Sequence, residues 1–161
     1  MRLIIAAVGK LKGGGAERDL VARYRERFEA LGRKLGLAPV VWHEVSESRA
    51  QDVARRRAEE ATALLELARD ADYLIALDAR GKSLTSDAFA RTLARVRDGG
   101  AKTIGIVIGG PDGLGDSVRE AAALQLSLGA MTLPHGLARV VLAEQLYRAA
   151  TILAGHPYHR G

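Results

Sequence analysis

A chain of 161 residues, 48% hydrophobic and 27% charged, has the size of one domain and the composition of an ordinary soluble α/β protein. It has no cysteine, which removes disulfide frameworks, thiolate metal sites and cysteine nucleophiles together and fits a reducing cytoplasm. A formal net charge of +5 suits a polyanionic partner, since lysines and arginines that neutralise phosphates release counterions.

Leu3 to Val8 is a continuous apolar run followed by glycine, the pattern of a strand covered on both faces. It is too short for a signal sequence, and no apolar stretch approaches membrane-spanning length, so a cytoplasmic location is expected. A basic, glycine-rich loop from Lys10 to Gly15 leads into a helix on which Leu20, Tyr24, Phe28, Leu31 and Leu35 recur at spacings of three and four. Pro39 to Val45 reads as a second strand. From Gln51 to Arg69, Ala54, Ala58, Ala61, Leu65 and Ala68 mark one helical face, so Arg55, Arg56 and Arg57 cannot all point the same way.

Tyr73 to Leu77 is a third strand, Ser86 or Asp87 caps a helix running to about Arg97, and Thr103 to Ile108 is a fourth strand. A short helix capped by Asp116 follows, then a brief strand around Ala130 to Leu133, a helix from about Leu137 to Ala154 and a polar tail from Gly155 to Gly161. Alternating strands and helices predict a single domain over residues 1–161 with a mostly parallel sheet and helices on both faces, its ligands beyond the carboxyl ends of the strands. The last helix is apolar around more than one stripe: one side can lie on the sheet, and the other either meets a second copy across a two-fold axis or is buried within a monomer. A homodimer is the expectation.

Ala76 to Ser83 resembles a phosphate-binding P-loop, but alanine stands where the first glycine belongs, which argues against a nucleoside triphosphatase. The densest functional signal is Gly109 to Gly115, with four glycines and a proline directly after the fourth strand; it reads as close backbone approach by a ligand or as a structural turn. Ser127 to Pro134 reads as core strand and turn. His43, His135, His156 and His159 form no metal-ligand pattern, so no metal is expected. His135 sits in a loop between Pro134 and Gly136, where it either satisfies local backbone groups or serves a site. The closing His156-Pro157-Tyr158-His159-Arg160 suits stacking on a base and gripping a phosphate.

Four segments together carry a family resemblance: I-G-G-P-D-G-L at Ile108 to Leu114, L-S-L-G-A-M-T-L-P-H at Leu126 to His135, R-V-V-L-A-E-Q-L-Y-R-A at Arg139 to Ala149, and H-P-Y-H-R at His156 to Arg160. With V-G-K-L-K at Val8 to Lys12, the whole chain resembles the RlmH family, ribosomal RNA large subunit methyltransferases of the SPOUT class. The resemblance implies a C-terminal trefoil knot, a dimer, and S-adenosylmethionine held by Leu77, Gly109 and the run Leu128, Gly129, Ala130, Met131, Thr132 and Leu133. It further implies methyl transfer to N3 of a pseudouridine in helix 69 of 23S ribosomal RNA, within the ribosome. His159 and His135 are then the candidate bases, with Arg139 and Arg160 stabilising charge or binding phosphate and His156 and Tyr158 contacting RNA. One protomer's tail is expected to complete the other's site. The competing readings are a SPOUT enzyme acting on another RNA base and a non-catalytic ribosome-associated RNA-binding factor.

Overall fold

The computed structural model describes residues 1–13 and 15–160; Gly14 of the expected glycine-rich loop and Gly161 at the end of the expected tail lie outside the described residues. The first strand, β1 (Arg2–Val8), is buried from Leu3 onward. In chain order follow α1 (Ala16–Leu35), β2 (Val40–Val45), α2 (Val53–Leu67), β3 (Tyr73–Ser83), α3 (Ser86–Asp98), β4 (Thr103–Ile108), α4 (Asp116–Ala121), β5 (Leu124–Ser127) and α5 (His135–Ala154). The strands form one sheet in the order β2-β1-β4-β3-β5, and every pairing is parallel.

The alternation of side chains along the central strands builds two cores. Leu3, Ile5, Ile104, Ile106 and Ile75 face Phe28 of α1, Phe89 and Leu93 of α3, and Leu142 and Leu146 of α5. Ala6, Val8, Ala76 and Val107 face Ala61 and Leu64 of α2 and Val118 of α4. The sheet is therefore covered on both faces, which is why β1 and β4 carry almost no polar residue. Gly105 allows close packing on the α2 side, since a Cβ there would lie 2.9 Å from that of Ala71.

Several local expectations are corrected. The last strand is Leu124–Ser127, whereas 130–133 is irregular and solvent-facing, with Met131 85% exposed; its apolar residues line a loop, not a ladder. The third strand continues past Leu77 to Ser83 because a register shift between Leu77 and Lys82 lets it keep following β5. On α2 the buried face is Glu60, Ala61, Leu64 and Ala68; Ala54 and Ala58 are exposed, because the start of the helix packs through Arg56 and Arg57 on the loop at Asp112 instead of through its alanines. Thr85, one residue before the expected caps, accepts from the Ala88 amide, and Gly115 caps α4, leaving Asp116 as its first residue. The last helix starts two residues early, at His135, and Gly155 ends it in the left-handed conformation. Among the described residues no helix is long and apolar enough to cross a membrane.

Candidate active site

Parallel strands deliver their carboxyl ends to one edge of the sheet, and there the chain opens a cleft of about 890 Å³. Leu77, Asp78 and Arg80 from β3 form one side, Gly109 to Leu114 after β4 a second, and Leu128, Gly129, Met131 to Pro134 and the first turn of α5 a third. Of the residues expected to hold a cofactor, Leu77, Gly109, Leu128, Gly129, Met131, Thr132 and Leu133 all line this cleft, and His135 stands with them. Ala130 is exposed in the same loop but does not line the cleft.

The glycines have structural reasons of their own. A Cβ on Gly109 would lie 2.9 Å from the Gly113 backbone, one on Gly110 2.9 Å from Val8, and one on Gly115 2.9 Å from Ala61. Gly113 adopts φ of +82°, and its amide donates to the Gly110 carbonyl at 2.9 Å. A tight turn pressed on α2 thus accounts for the glycine density, and the cleft receives a wall of backbone with few side chains. The structural-turn reading of the glycine run accounts for its composition, and the same loop lines the cleft.

The loop is clamped from α2. Arg56 Nε donates to Asp112 Oδ2 at 2.8 Å while its Nη1 donates to the carbonyls of Ala50 and Gln51, and Arg57 Nε donates to the Asp112 carbonyl at 2.8 Å. The Arg56 hydrogen bond holds the Asp112 carboxyl below its ordinary range. Arg55 points elsewhere, to Glu59 on its own helix. Midway along β3, at its register shift, burial pushes the Asp78 carboxyl up, but hydrogen bonds from Arg119 and Arg80 outweigh it and leave the group below the usual range. These pairs were not anticipated from sequence.

Arg139 lies one turn into α5 and is 1% exposed. Its Nη1 donates to Glu44 Oε2 at 2.8 Å, and its Nη2 to the carbonyls of Val8 at 2.8 Å and Gly9 at 2.6 Å. Glu44 also accepts from the Leu11 amide at 2.6 Å. Burial raises the Glu44 carboxyl, the Leu11 and Arg139 hydrogen bonds lower it more, and it ends below the ordinary range. The guanidinium expected at the reacting centre thus joins β1, β2 and the start of α5 beside His135.

The tail follows the carboxyl end of that helix and folds back along it to Glu144 and Arg148. His159 sits between Arg148, 3.3 Å from its Nδ1, and Asp87, 3.4 Å from its Nε2. The Tyr158 hydroxyl donates to Glu144 at 3.1 Å, its ring centre is 4.7 Å from that of Tyr147, and the Arg148 guanidinium lies 4.9 Å above it. His156 and Arg160 are exposed. Glu144 and Arg148 lie nine and thirteen residues beyond His135 on α5, so about 14 to 20 Å of helix separates this cluster from the amino end of α5 at the cleft. Within one chain, His159, His156, Tyr158 and Arg160 are not brought to His135.

Comparison with known proteins gives this arrangement its family. The family model described as Predicted SPOUT methyltransferase matches residues 1–159. Ribosomal RNA large subunit methyltransferase H of Rhodopseudomonas palustris (strain HaA2) is 57% identical over 160 residues, 99% of each chain. The protein of that name from Nitrobacter hamburgensis is 52% identical over 161 residues, all of both chains. Among solved structures, a probable methylase family protein from Haemophilus influenzae aligns with a TM-score of 0.52 at 11% identity, over 99% of this chain and 70% of that one. A probable methyltransferase from Bordetella pertussis does so with a TM-score of 0.50 at 18% identity, over 92% and 95%. The two structures speak to the fold alone, whereas the full-length matches show that the chain belongs to the SPOUT methyltransferases, in the ribosomal RNA large subunit methyltransferase H family.

Proposed function

We propose that this single-domain protein uses S-adenosylmethionine to methylate N3 of a pseudouridine in helix 69 of 23S ribosomal RNA. The observation that carries the reading is the cleft, where Leu77, Gly109 and five residues of the 128–133 run converge with His135. Its volume, about 890 Å³, falls in the range of small-molecule sites. Apolar Leu77, Leu114, Leu126 and Leu128 beside walls of exposed backbone suit a nucleoside whose base is recognised by amides and carbonyls. The residues present therefore fit the cofactor. The trefoil knot implied by the family resemblance belongs to the same proposal, with the 109–115 and 128–134 loops as its crossing region.

Bound S-adenosylmethionine supplies a sulfonium methyl open to in-line displacement. The chain's own contribution is to hold the methyl donor, exclude water and bring a nucleobase to the rim where His135 stands. N3 of pseudouridine is a weak nucleophile until its proton is removed or polarised, and a neutral imidazole at that rim can accept it. Arg139 acts here as a positioning residue, fixing the first turn of α5 through Val8, Gly9 and Glu44.

The separation of tail and cleft supports a shared site in a homodimer. Leu137, 44% exposed, with half-buried Val140 and Val141, leaves an apolar strip on α5. Pairing two such strips antiparallel about a two-fold axis near residue 139 sets the 144–148 stretch of one helix, onto which the tail folds, close to the amino end of the other. His156, Tyr158, His159 and Arg160 of one protomer then reach the partner's cleft, with His159 as a second candidate base and Arg160 on phosphate.

The cofactor half of this reading is tested by titrating S-adenosylmethionine into the protein in a calorimeter. Saturable binding is expected, and no binding would contradict it.

A further inference from the structure

The surface around the tail contains a cation that the fold does not use. Tyr24 of α1, Tyr147 of α5 and Tyr158 of the tail form a continuous aromatic shelf, with ring centres 6.2 Å and 4.7 Å apart. Two guanidinium groups stand over it. Arg148 is neutralised, since its Nη2 lies 2.6 Å from Glu144, which also accepts from the Tyr158 hydroxyl. Arg27 is 6.0 Å from the centres of both Tyr24 and Tyr147, is exposed, and has no carboxylate partner among the described residues.

The sequence explains why. The neighbours of Arg27 at three and four residues are Arg23, Tyr24, Ala30 and Leu31, none of them acidic; Glu26 and Glu29, one and two residues away, point off its face, and Glu29 meets Arg25 at 3.7 Å. Arg23 and Arg27 form a like-charge pair at i,i+4, an arrangement that weakens a helix slightly when nothing compensates it. Exposed Arg91, one turn beyond Asp87 on α3, and exposed Arg160 extend the positive rim around the tail. The Tyr158 ring already packs with the Arg148 guanidinium at 4.9 Å and the Tyr147 ring at 4.7 Å, so the shelf favours backbone contact over base stacking.

We infer that Arg27 contacts a phosphate of the RNA substrate, making the α1 side of the aromatic shelf part of the RNA-binding surface. The inference rests on the proposed action on ribosomal RNA. A guanidinium steadied over aromatic rings and lacking an internal anion meets a phosphate with its donors already oriented. Base identity is then read elsewhere, at the cleft.

The test uses the full-length protein, Arg27→Gln and Arg27→Lys, with large ribosomal subunits lacking the modification. Binding is measured across a salt series, alongside steady-state methyl transfer. Arg27→Gln is expected to raise KM for the subunit about tenfold with kcat within about twofold, and to reduce the slope of log affinity against log salt by about 0.7 to 0.9, one phosphate contact. Arg27→Lys should retain most of the slope, while S-adenosylmethionine affinity and Tm stay at wild-type values in both. A wild-type salt slope in Arg27→Gln would overturn the inference, whatever happens to KM, because a purely structural arginine leaves that slope unmoved. If wild type binds subunits without transferring methyl, the methylation reading fails while the slopes still judge Arg27. If wild type does not bind subunits at all, both are overturned.

Discussion

Arg139 shows how one side chain holds the site together. Its guanidinium is buried and donates to Glu44 and to the carbonyls of Val8 and Gly9. Removing it leaves Glu44 with the Leu11 amide as partner and the Val8 and Gly9 carbonyls unpaired, so Arg139→Met should cost about 2 to 4 kcal/mol in urea unfolding. A loss under ~1 kcal/mol would show that water replaces those bonds. Tyr158 provides a spectroscopic handle, because burial and the hydrogen bond to Glu144 push its phenol up to about 12. The folded state prefers the neutral phenol, so its contribution to stability is complete below the ordinary tyrosine pKa of about 10 and is lost as pH rises towards 12. Absorbance titration should show one late tyrosine that disappears in Tyr158→Phe. A late transition surviving in that variant would assign it elsewhere.

At the scale of elements, the loops around the cleft depend on helices that do not line most of it. Arg56 of α2 ties Asp112 of the glycine loop to the carbonyls of Ala50 and Gln51. Arg56→Ala should therefore weaken S-adenosylmethionine binding about tenfold, ~1.4 kcal/mol, the scale of one charge-assisted hydrogen bond, with little change in kcat at saturation. Unchanged affinity in calorimetry would mean that the glycines hold the turn unaided. The central strands were legible because burial on both faces leaves unbroken apolar runs such as Leu3 to Val8. The last strand was misplaced because Ala130 to Leu133 is equally apolar, and pattern does not separate residues packed in a ladder from residues lining a loop. On α2, alanines at several spacings made two helical faces look alike, and Leu64 rather than Leu65 turned inward. The glycine run, singled out by composition, and the 128–133 run, singled out by family resemblance, both line the cleft except at Gly115 and Ala130. The clamping pairs were not legible in the sequence, since Arg56 and Asp112 are 56 positions apart and Arg139 and Glu44 are 95 apart, and local spacing does not connect them.

For the whole molecule, the decisive feature is that His135 lines the cleft, whereas the tail folds back onto Glu144 and Arg148 of α5 and does not line it. If the site is shared across a two-fold axis, truncation after Gly155 should abolish transfer without unfolding the chain. Mixing truncated protomers with protomers whose cleft is blocked should then restore activity, because some dimers combine an intact cleft with an intact tail. No recovery in mixed dimers that are shown to form would place the tail's action in its own chain.

The most direct test of the account is transfer of labelled methyl from S-adenosylmethionine to ribosomes lacking the modification, followed by mass spectrometry of the modified nucleoside. Label is expected on N3 of the helix 69 pseudouridine of 23S ribosomal RNA. Cofactor binding with label on another base, or with none, would contradict it.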